Sequence, residues 1–308
     1  MTASQSPHDE PPTGTGARLL PGASLDSTAQ LMHAITSRLG SRLGSRLGLV
    51  SLDGTPRPAP PPLVLVAHGS RDPRALGTVS TLVERVRELR PHLSVRLGHI
   101  ELDEPLLPAT LASLDTARDP RAVLVPLLLS RGHHVKRDVP DAAAAVPGLR
   151  ARVAAPLGPH PLLVEALYAR LVEAGWHTRA SDAARRASGV VLAAAGSRDP
   201  EAALDTRRTA GLLAERLGVP VVAAYASAAT PTVPAAVRAM AARGRHRVAV
   251  ASYFTAPGRF ATACAEAAPW IAAAPLGTHP AMARLVLHRY DQALATPEPA
   301  SERELAAS

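Results

Sequence analysis

The chain has 308 residues, 46% of them apolar, so it is long enough to form two domains of ordinary size with packed cores. Its 34 Lys and Arg outnumber its 26 Asp and Glu, and the formal net charge of +8 favours acidic ligands. Nucleic acid is not an expected partner, because only 3% of the residues are aromatic and the positive charge is mostly scattered arginine.

Membrane and secretory classes are also disfavoured. No apolar run approaches the roughly 18 residues of a membrane span, and the N-terminus lacks the basic and apolar regions of a secretory signal. The single cysteine, Cys264, excludes an internal disulfide. We therefore expect a soluble, cytoplasmic protein that has no membrane partner.

The N-terminal 60 residues have low complexity. They include a threefold repeat, "SRLGSRLGSRLG" at 37–48, and a proline-rich run, "TPRPAPPP" at 55–62. Glycine at every fourth position opposes a helix, and the prolines oppose both a helix and a central strand. We predict a disordered tail over 1–60 and a second, shorter tail over 297–308.

Between the tails, apolar strand patterns alternate with helical ones. The first strand pattern, "LVLVAHG" at 63–69, precedes a helical pattern at 73–89 in which apolar residues recur every three or four positions. Three further strand and helix pairs come next, at 94–102 and 104–114, 121–130 and 133–146, and 150–158 and 160–175. Apolar strands that alternate with helices predict an α/β fold with a doubly wound parallel sheet.

The same order recurs over 189–295. "AHGSRDP" at 67–73 matches "AAGSRDP" at 194–200, and "APLGPHP" at 155–161 matches "APLGTHP" at 274–280. We predict two duplicated doubly wound domains, at 61–178 and 189–296, joined by a linker at 179–188. They should face each other across a cleft at the carboxyl ends of their strands, where open α/β sheets usually bind ligands.

The copies share backbone features. Both keep a glycine for the turn, Gly69 and Gly196, and a serine that we expect to cap the next helix, Ser70 and Ser197. A histidine before the last helix also occurs twice, as His160 and His279, which indicates caps or packing groups. His99, inside a strand pattern, is interpreted as a packed group.

The copies differ in chemistry. His68, His134, Glu101 and Glu104 of the first copy correspond to Ala195, Phe260, Ser227 and Thr230 of the second. A lone His68 is open to a structural interpretation, but the second turn manages with alanine, so the difference favours function. The two glutamates remain open to interpretation as solvated loop charges, and Arg71 as a structural partner of Asp72. We predict one chemical site, in the first domain.

Three segments, "AHGSRDPRA", "GHIELDEP" and "VPLLLSRGHHVKRDVP", resemble the CbiX-type sirohydrochlorin chelatases, relatives of ferrochelatase. The resemblance is strong over 63–175 and weaker over 189–295. It implies the two-domain chelatase fold and the insertion of Fe²⁺ or Co²⁺ into a carboxylate-rich tetrapyrrole, for sirohaem or cobalamin biosynthesis. It also implies His68 and His134 as the metal-handling pair, with Glu101 or Glu104 beside them. The metal is then a substrate, and no tightly bound cofactor is expected.

Imidazoles suit this chemistry. A neutral imidazole binds Fe²⁺ or Co²⁺ exchangeably, and with a pKa near 6.5 it accepts a pyrrole proton at neutral pH. The macrocycle's carboxylates would meet a basic group around the two histidine loops, for which the candidates are Ser70 through its turn, Arg71, Arg131, Lys136 and Arg137. Because both domains lie in one chain, we expect a monomer. The alternatives are a noncatalytic metal or tetrapyrrole carrier and a phosphoryl-transfer enzyme.

Overall fold

The computed structural model describes residues 59–177, 179 and 181–296. The predicted tails therefore lie outside the described residues, apart from positions 59 and 60. Contacts divide the chain into residues 1–59 and 60–308, and the second of these units holds all the helices and strands described below. No helix in the described part of the chain is long and apolar enough to cross a lipid bilayer.

The first half contains a four-stranded parallel sheet in the order β2-β1-β3-β4. Its buried apolar strands alternate with helices that cover the sheet, as the pattern predicts. The elements are β1 (Leu63–Ala67), α1 (Pro73–Leu89), β2 (Val95–His99), α2 (Leu107–Ala112), β3 (Arg121–Pro126), a π-helix (His134–Asp138), α3 (Val139–Ala144), β4 (Arg150–Val153) and α4 (Pro161–Glu173).

The second half repeats this plan with a parallel sheet in the order β6-β5-β7-β8. The predicted linker at 179–188 contains a short helix, α5 (Asp182–Ala187), and its last residue begins β5. The remaining elements are β5 (Ser188–Ala194), α6 (Pro200–Leu217), β6 (Val221–Tyr225), α7 (Val233–Ala241), β7 (Arg247–Tyr253), α8 (Arg259–Glu266), β8 (Ile271–Ala272) and α9 (Pro280–Ala295). The duplicated α/β fold is thus confirmed.

The two halves share one hydrophobic core, which includes strand residues of both sheets. Helix α9 of the second half packs against α1 and α4 of the first, and the Tyr290 hydroxyl donates to the carbonyl of Pro61 at 2.6 Å. Near the strand ends, the Tyr253 hydroxyl donates to the Leu129 carbonyl and Thr255 Oγ1 to the Leu127 carbonyl, both at 2.8 Å. These bonds fix β7 of the second half against the end of β3 in the first.

The shared glycines are required by the turns. Gly69 has φ +97° and Gly196 has φ +93°, and a Cβ atom would lie 1.7 Å from the Glu101 carbonyl oxygen or 1.8 Å from that of Ser227. A side chain is excluded at both positions by backbone conformation and by space. The first strand of each half can therefore approach the next loop only at a glycine.

The predicted serine caps are wrong. The N-caps of α1 and α6 are Asp72 and Asp199, whose carboxylates accept from Arg74 N at 3.0 Å and from Glu201 N at 2.9 Å. Ser70 Oγ instead accepts from the N–H of Asp72 at 3.1 Å, and Ser197 does the same for Asp199. Each serine lies two residues too early to reach the first free N–H groups of the helix.

The shared histidines are caps, as expected. His160 Nδ1 accepts from Leu162 N at 3.1 Å, and His279 Nδ1 accepts from Ala281 N at 3.2 Å. Burial, together with the nearby positive charges of Arg289 and His288, lowers the pKa of His160 to about 4. The ring is therefore neutral at pH 7, which leaves Nδ1 free to accept the helix N–H.

Candidate functional site

A cleft of about 900 Å³ lies between the halves, at the carboxyl ends of the strands. Both halves contribute walls, as the duplication predicts. The lining includes residues 67–72, 127–130 and 132–134 of the first half, and residues 194–197 and 253–261 of the second. Because β1 and β3 are neighbours in one sheet, the loops that come after them meet at this edge.

His68 and His134 are brought together in this cleft. His68 directly follows β1, and His134 begins the π-helix after β3. Their ring centroids are 4.7 Å apart, with ring planes at 88°. The side chains are 42% and 37% exposed, so a ligand in the cleft can reach both. Two residues that are 66 positions apart in the sequence thus form one pair.

The segment after β3 differs from the predicted helix over 133–146. Its first turn is a π-helix, in which the Val139 N–H donates to the His134 carbonyl, and α3 follows. Pro140 has no N–H to offer Lys136 in an α-helical pattern, which favours the wider turn here. The turn places Asp138 beside His134, with His134 Nδ1 2.5 Å from Asp138 Oδ2.

Each histidine of the pair has a carboxylate near Nδ1. Asp138 serves His134, while His68 Nδ1 lies 3.2 Å from the Gly69 carbonyl oxygen and 3.7 Å from Glu101 Oε1. Carbonyl and carboxylate oxygens only accept hydrogen bonds, so these contacts favour the tautomer with the proton on Nδ1 and the lone pair on Nε2. This tautomer, fixed by an oxygen on the second nitrogen, is typical of metal-binding histidines.

The structure separates the two glutamates. Glu101 lines the cleft beside His68, whereas Glu104 is absent from the described lining, and its Oε2 accepts from Leu106 N at 2.9 Å. The sequence patterns did not reveal Asp138, nor Asp103, which lines the cleft and accepts from Ser70 N at 2.9 Å. The available signal for Asp138 was its position four residues after His134, which places both on one helical face.

Two predicted substrate-binding cations pair with the second half. Arg131 donates through Nη1 to Glu201 Oε1 and through Nη2 to Asp205 Oδ1, both at 2.7 Å, and Lys136 Nζ lies 2.6 Å from Asp199 Oδ2. Burial raises the pKa of Asp205, but its hydrogen bonds with Arg131 outweigh this effect and hold the pKa below its ordinary value. These ion pairs hold residues 131–136, which we call the His134 loop, against the second half.

The other predicted cations are exposed. Arg71 lines the cleft and is not the ion-pair partner of Asp72, which pairs with Arg74 at 2.7 Å. Arg137 is exposed and is not among the lining residues, and Ser70 lines the cleft beside Arg71. From the second half, Arg259 also lines the cleft, a contribution that the sequence patterns did not reveal.

His99 is buried, as expected, with 1% of its surface exposed. Its Nδ1 lies 3.3 Å from the Pro105 carbonyl oxygen, while Nε2 has no hydrogen-bond partner within the described residues. The residue also contributes to the cleft lining. Across the described chain, no three His, Cys, Asp or Glu side chains form a group that could hold a metal ion. Within the described residues, a metal ion at this site would therefore have no more than the two imidazoles as a ready-made set of protein ligands.

Comparisons with known proteins identify the family and the fold of the two halves. The CbiX family model matches residues 62–174 and 189–293, which correspond to the two halves. Bacillus subtilis SirB, solved with Fe³⁺, superposes with a TM-score of 0.62 at 22% identity, covering 77% of this chain and 96% of SirB. This likeness shows the same fold.

Curated relatives match shorter segments. The sirohydrochlorin cobaltochelatase of Methanococcus aeolicus is 35% identical over 79 residues, which cover 26% of this chain and 55% of that protein. The sirohydrochlorin ferrochelatase of Bacillus subtilis is 28% identical over 164 residues, covering 51% of this chain and 59% of that protein. The matches span little more than half of these relatives. Because the family model covers both halves, and with them most of the chain, this protein belongs to the CbiX family.

Proposed function

We propose that this protein inserts a divalent metal ion, Fe²⁺ or Co²⁺, into a sirohydrochlorin-type tetrapyrrole, for sirohaem or cobalamin biosynthesis. One observation carries the proposal: the ring centroids of His68 and His134 lie 4.7 Å apart in the cleft, and each ring has an oxygen near Nδ1. Relatives named for iron and for cobalt insertion support the reaction class. Imidazole nitrogen binds either metal with moderate strength, which suits delivery.

The reaction exchanges two protons for one metal ion. As the ion enters the ring, two pyrrole N–H bonds break and the metal bonds to all four ring nitrogens, so two protons must leave. Once the ion has passed to the ring, the Nε2 lone pairs of His68 and His134 would be free to accept these two protons. Asp138 and Glu101 stabilise the imidazolium cations that result, because each carboxylate already lies near the Nδ1–H group.

The cleft suits a large anionic ring. Its volume of about 900 Å³ lies near the top of the range of roughly 300–1,000 Å³ that is common for small-molecule sites. Phe254 and Phe260 give one wall an apolar surface. Arg71 and Arg259 are exposed at the cleft and are the cations that we propose for the macrocycle's carboxylates. Arg131 and Lys136 act indirectly, by holding the His134 loop.

A turnover assay tests the function. With excess macrocycle and either Fe²⁺ or Co²⁺, a chelatase converts many equivalents, whereas a carrier binds stoichiometrically. His68→Ala and His134→Ala should each lower the rate by about two orders of magnitude. The fold should survive His68→Ala, since Ala195 occupies the same turn in the second half, and His134→Ala, since the His134 side chain is 37% exposed. His92→Ala, at an exposed position away from the cleft, is the matched control.

Unimpaired turnover in folded His68→Ala and His134→Ala variants would place the chemistry elsewhere. Strictly stoichiometric binding by the wild type would favour the carrier.

The proposal also includes a monomer, because one chain supplies both walls of the cleft, and the cytoplasm as its location. Removing residues 189–308 should abolish insertion, and full activity of a monomeric first half would contradict the shared site.

A further inference from the structure

A second cavity, of about 260 Å³, lies at the other edge of the second sheet. Its walls come from the first residues of β5 and β7, from the approach to β8 and from the end of α6. The cleft lies at the carboxyl ends of these strands, so the sheet separates the two. Four arginines and both tryptophans of the chain line this cavity: Arg179, Arg185, Arg216, Arg247, Trp176 and Trp270.

The arginine cavity, as we call it, has positive charge without acidic compensation. Neither Asp nor Glu is among its described lining residues. Only Arg185 of the four has an ion pair within the described residues, with the exposed Asp182 at 3.3 Å. Elsewhere, arginines such as Arg90 meet a carboxylate directly, here that of Asp291 at 2.6 Å. Like charges that share a small cavity repel, and a bound anion relieves this repulsion.

Two of the guanidinium groups are held in place by aromatic rings. The guanidinium carbon of Arg247 lies over Trp270 at 4.2 Å from the ring centroid, and that of Arg216 lies over Tyr168 at 4.5 Å. A contact between a cation and a ring face uses no hydrogen-bond acceptor, so it leaves the N–H groups available to an anion. The donors are therefore positioned in advance, which lowers the entropy cost of binding.

The tryptophans make the floor of the cavity rigid. Trp176 and Trp270 are 5.6 Å apart between ring centroids, and Trp176 is 8% exposed and belongs to the shared core. Arg179 is exposed at the rim, with no hydrogen bond or ion pair seen to another described residue. A rigid floor with donors on several sides is the arrangement that recognises oxygen-rich anions.

We propose that the arginine cavity binds a small anion with two or more negative charges, whose phosphate or carboxylate oxygens accept from Arg179, Arg216 and Arg247. The volume of 260 Å³, against 900 Å³ for the cleft, excludes a ligand large enough to fill the cleft. The site is separate from the histidine pair. It does not depend on the proposed metal insertion.

Intrinsic fluorescence tests the proposal, because the only two tryptophans of the chain line this cavity. The full chain is titrated with pyrophosphate and, separately, with citrate, at constant ionic strength and with chloride as the reference. We expect a saturable change with at least one polyvalent anion and none with chloride. If pyrophosphate binds more tightly than citrate, the site prefers phosphate ligands, and the reverse order indicates carboxylate ligands.

Arginine variants locate the site. Arg179→Gln, which disturbs no stacked ring, should weaken binding about fivefold, and the Arg216→Gln, Arg247→Gln double variant more than tenfold. Arg118→Gln, at an exposed position in the first half, should leave affinity within about twofold. Calorimetry repeats the comparison without relying on the tryptophans. The absence of saturable binding below about 10 mM, or equal affinity in all variants, would overturn the proposal.

Discussion

Asp205→Asn tests whether the second half holds the His134 loop in place. Asp205 has only 1% of its side chain exposed and accepts three hydrogen bonds from Arg131. Oδ2 accepts from the backbone N at 3.1 Å and from Nε at 2.9 Å, and Oδ1 accepts from Nη2 at 2.7 Å. Asparagine keeps the shape, but its amide nitrogen replaces one acceptor, so at least one donor of Arg131 faces another donor.

The expected loss is set by the bonds removed. A hydrogen bond to a charged group contributes about 1.5–3 kcal/mol net, so losing one at this buried carboxylate should cost about 2 kcal/mol. For a unit of roughly 150–250 residues, 1 kcal/mol shifts Tm by about 2–4 °C, which gives a fall of about 4–8 °C. Metal insertion should fall by about tenfold as well, because Arg131 lies three residues before His134.

Calorimetry and steady-state insertion measure the two effects. Glu201→Gln is the matched control, since this acid pairs with both Arg131 and Lys136 but is 44% exposed, and such exposed pairs contribute about 0–1 kcal/mol each. The pKa of Asp205 lies below its unfolded value, so its stabilisation is complete above about pH 4 and is lost as pH falls further. The wild-type and variant stabilities should therefore converge in acid. Equal Tm values for Asp205→Asn and Glu201→Gln would refute the reasoning.

Three other substitutions, two of them with matched controls, probe the site and the fold. Glu101→Gln should lower the rate of metal insertion by about tenfold, because this carboxylate lies beside His68. Glu104→Gln should change the rate less than twofold, because Glu104 accepts from Leu106 N instead. The reverse order in a steady-state assay would reject the assignment of Glu101 to the site. Gly69→Ala should prevent stable folding in urea titrations, since its Cβ would lie 1.7 Å from a carbonyl oxygen. Gly148 has φ +76° but open space around it, so Gly148→Ala should lower the free energy of unfolding by only about 1–2 kcal/mol. Similar losses in the two variants would be inconsistent with the steric argument. His160 has a pKa of about 4 when folded and near 6.5 when unfolded, so the wild-type free energy of unfolding should fall as pH falls from 6.5 to 4. In His160→Asn the free energy of unfolding should depend less on pH over that window. The same pH dependence in both proteins would disprove the role.

Internal repetition made much of this fold predictable. The two "GSRDP" turns, each after an apolar run, predicted the duplicated sheets, because a buried strand followed by an amphipathic helix has few stable arrangements. The same comparison singled out His68 and His134, since the second half builds the turn with Ala195 and the later loop with Phe260. A residue that one copy of a scaffold can omit is not needed for the scaffold.

Side-chain partners could not be predicted in this way. The sequence predicts Arg131 and Lys136 as substrate ligands, but it did not reveal that Asp205 and Asp199 lie beside them, from a segment more than 60 residues away. Glu101 and Glu104 are three positions apart in one loop, and only the path of the backbone directs one to His68 and the other to the N–H of Leu106.

The repeated backbone plan could be predicted from the sequence alone, because hydrophobic periodicity and turn residues act locally. Which charged groups meet could not be predicted from the sequence, because it depends on the packed fold. The energy of an ion pair or a metal site depends on distances across the fold, and those distances are set by how the two sheets pack. The 4.7 Å separation of the His68 and His134 ring centroids depends likewise on tertiary structure, here on the pairing of β1 with β3 within the first sheet.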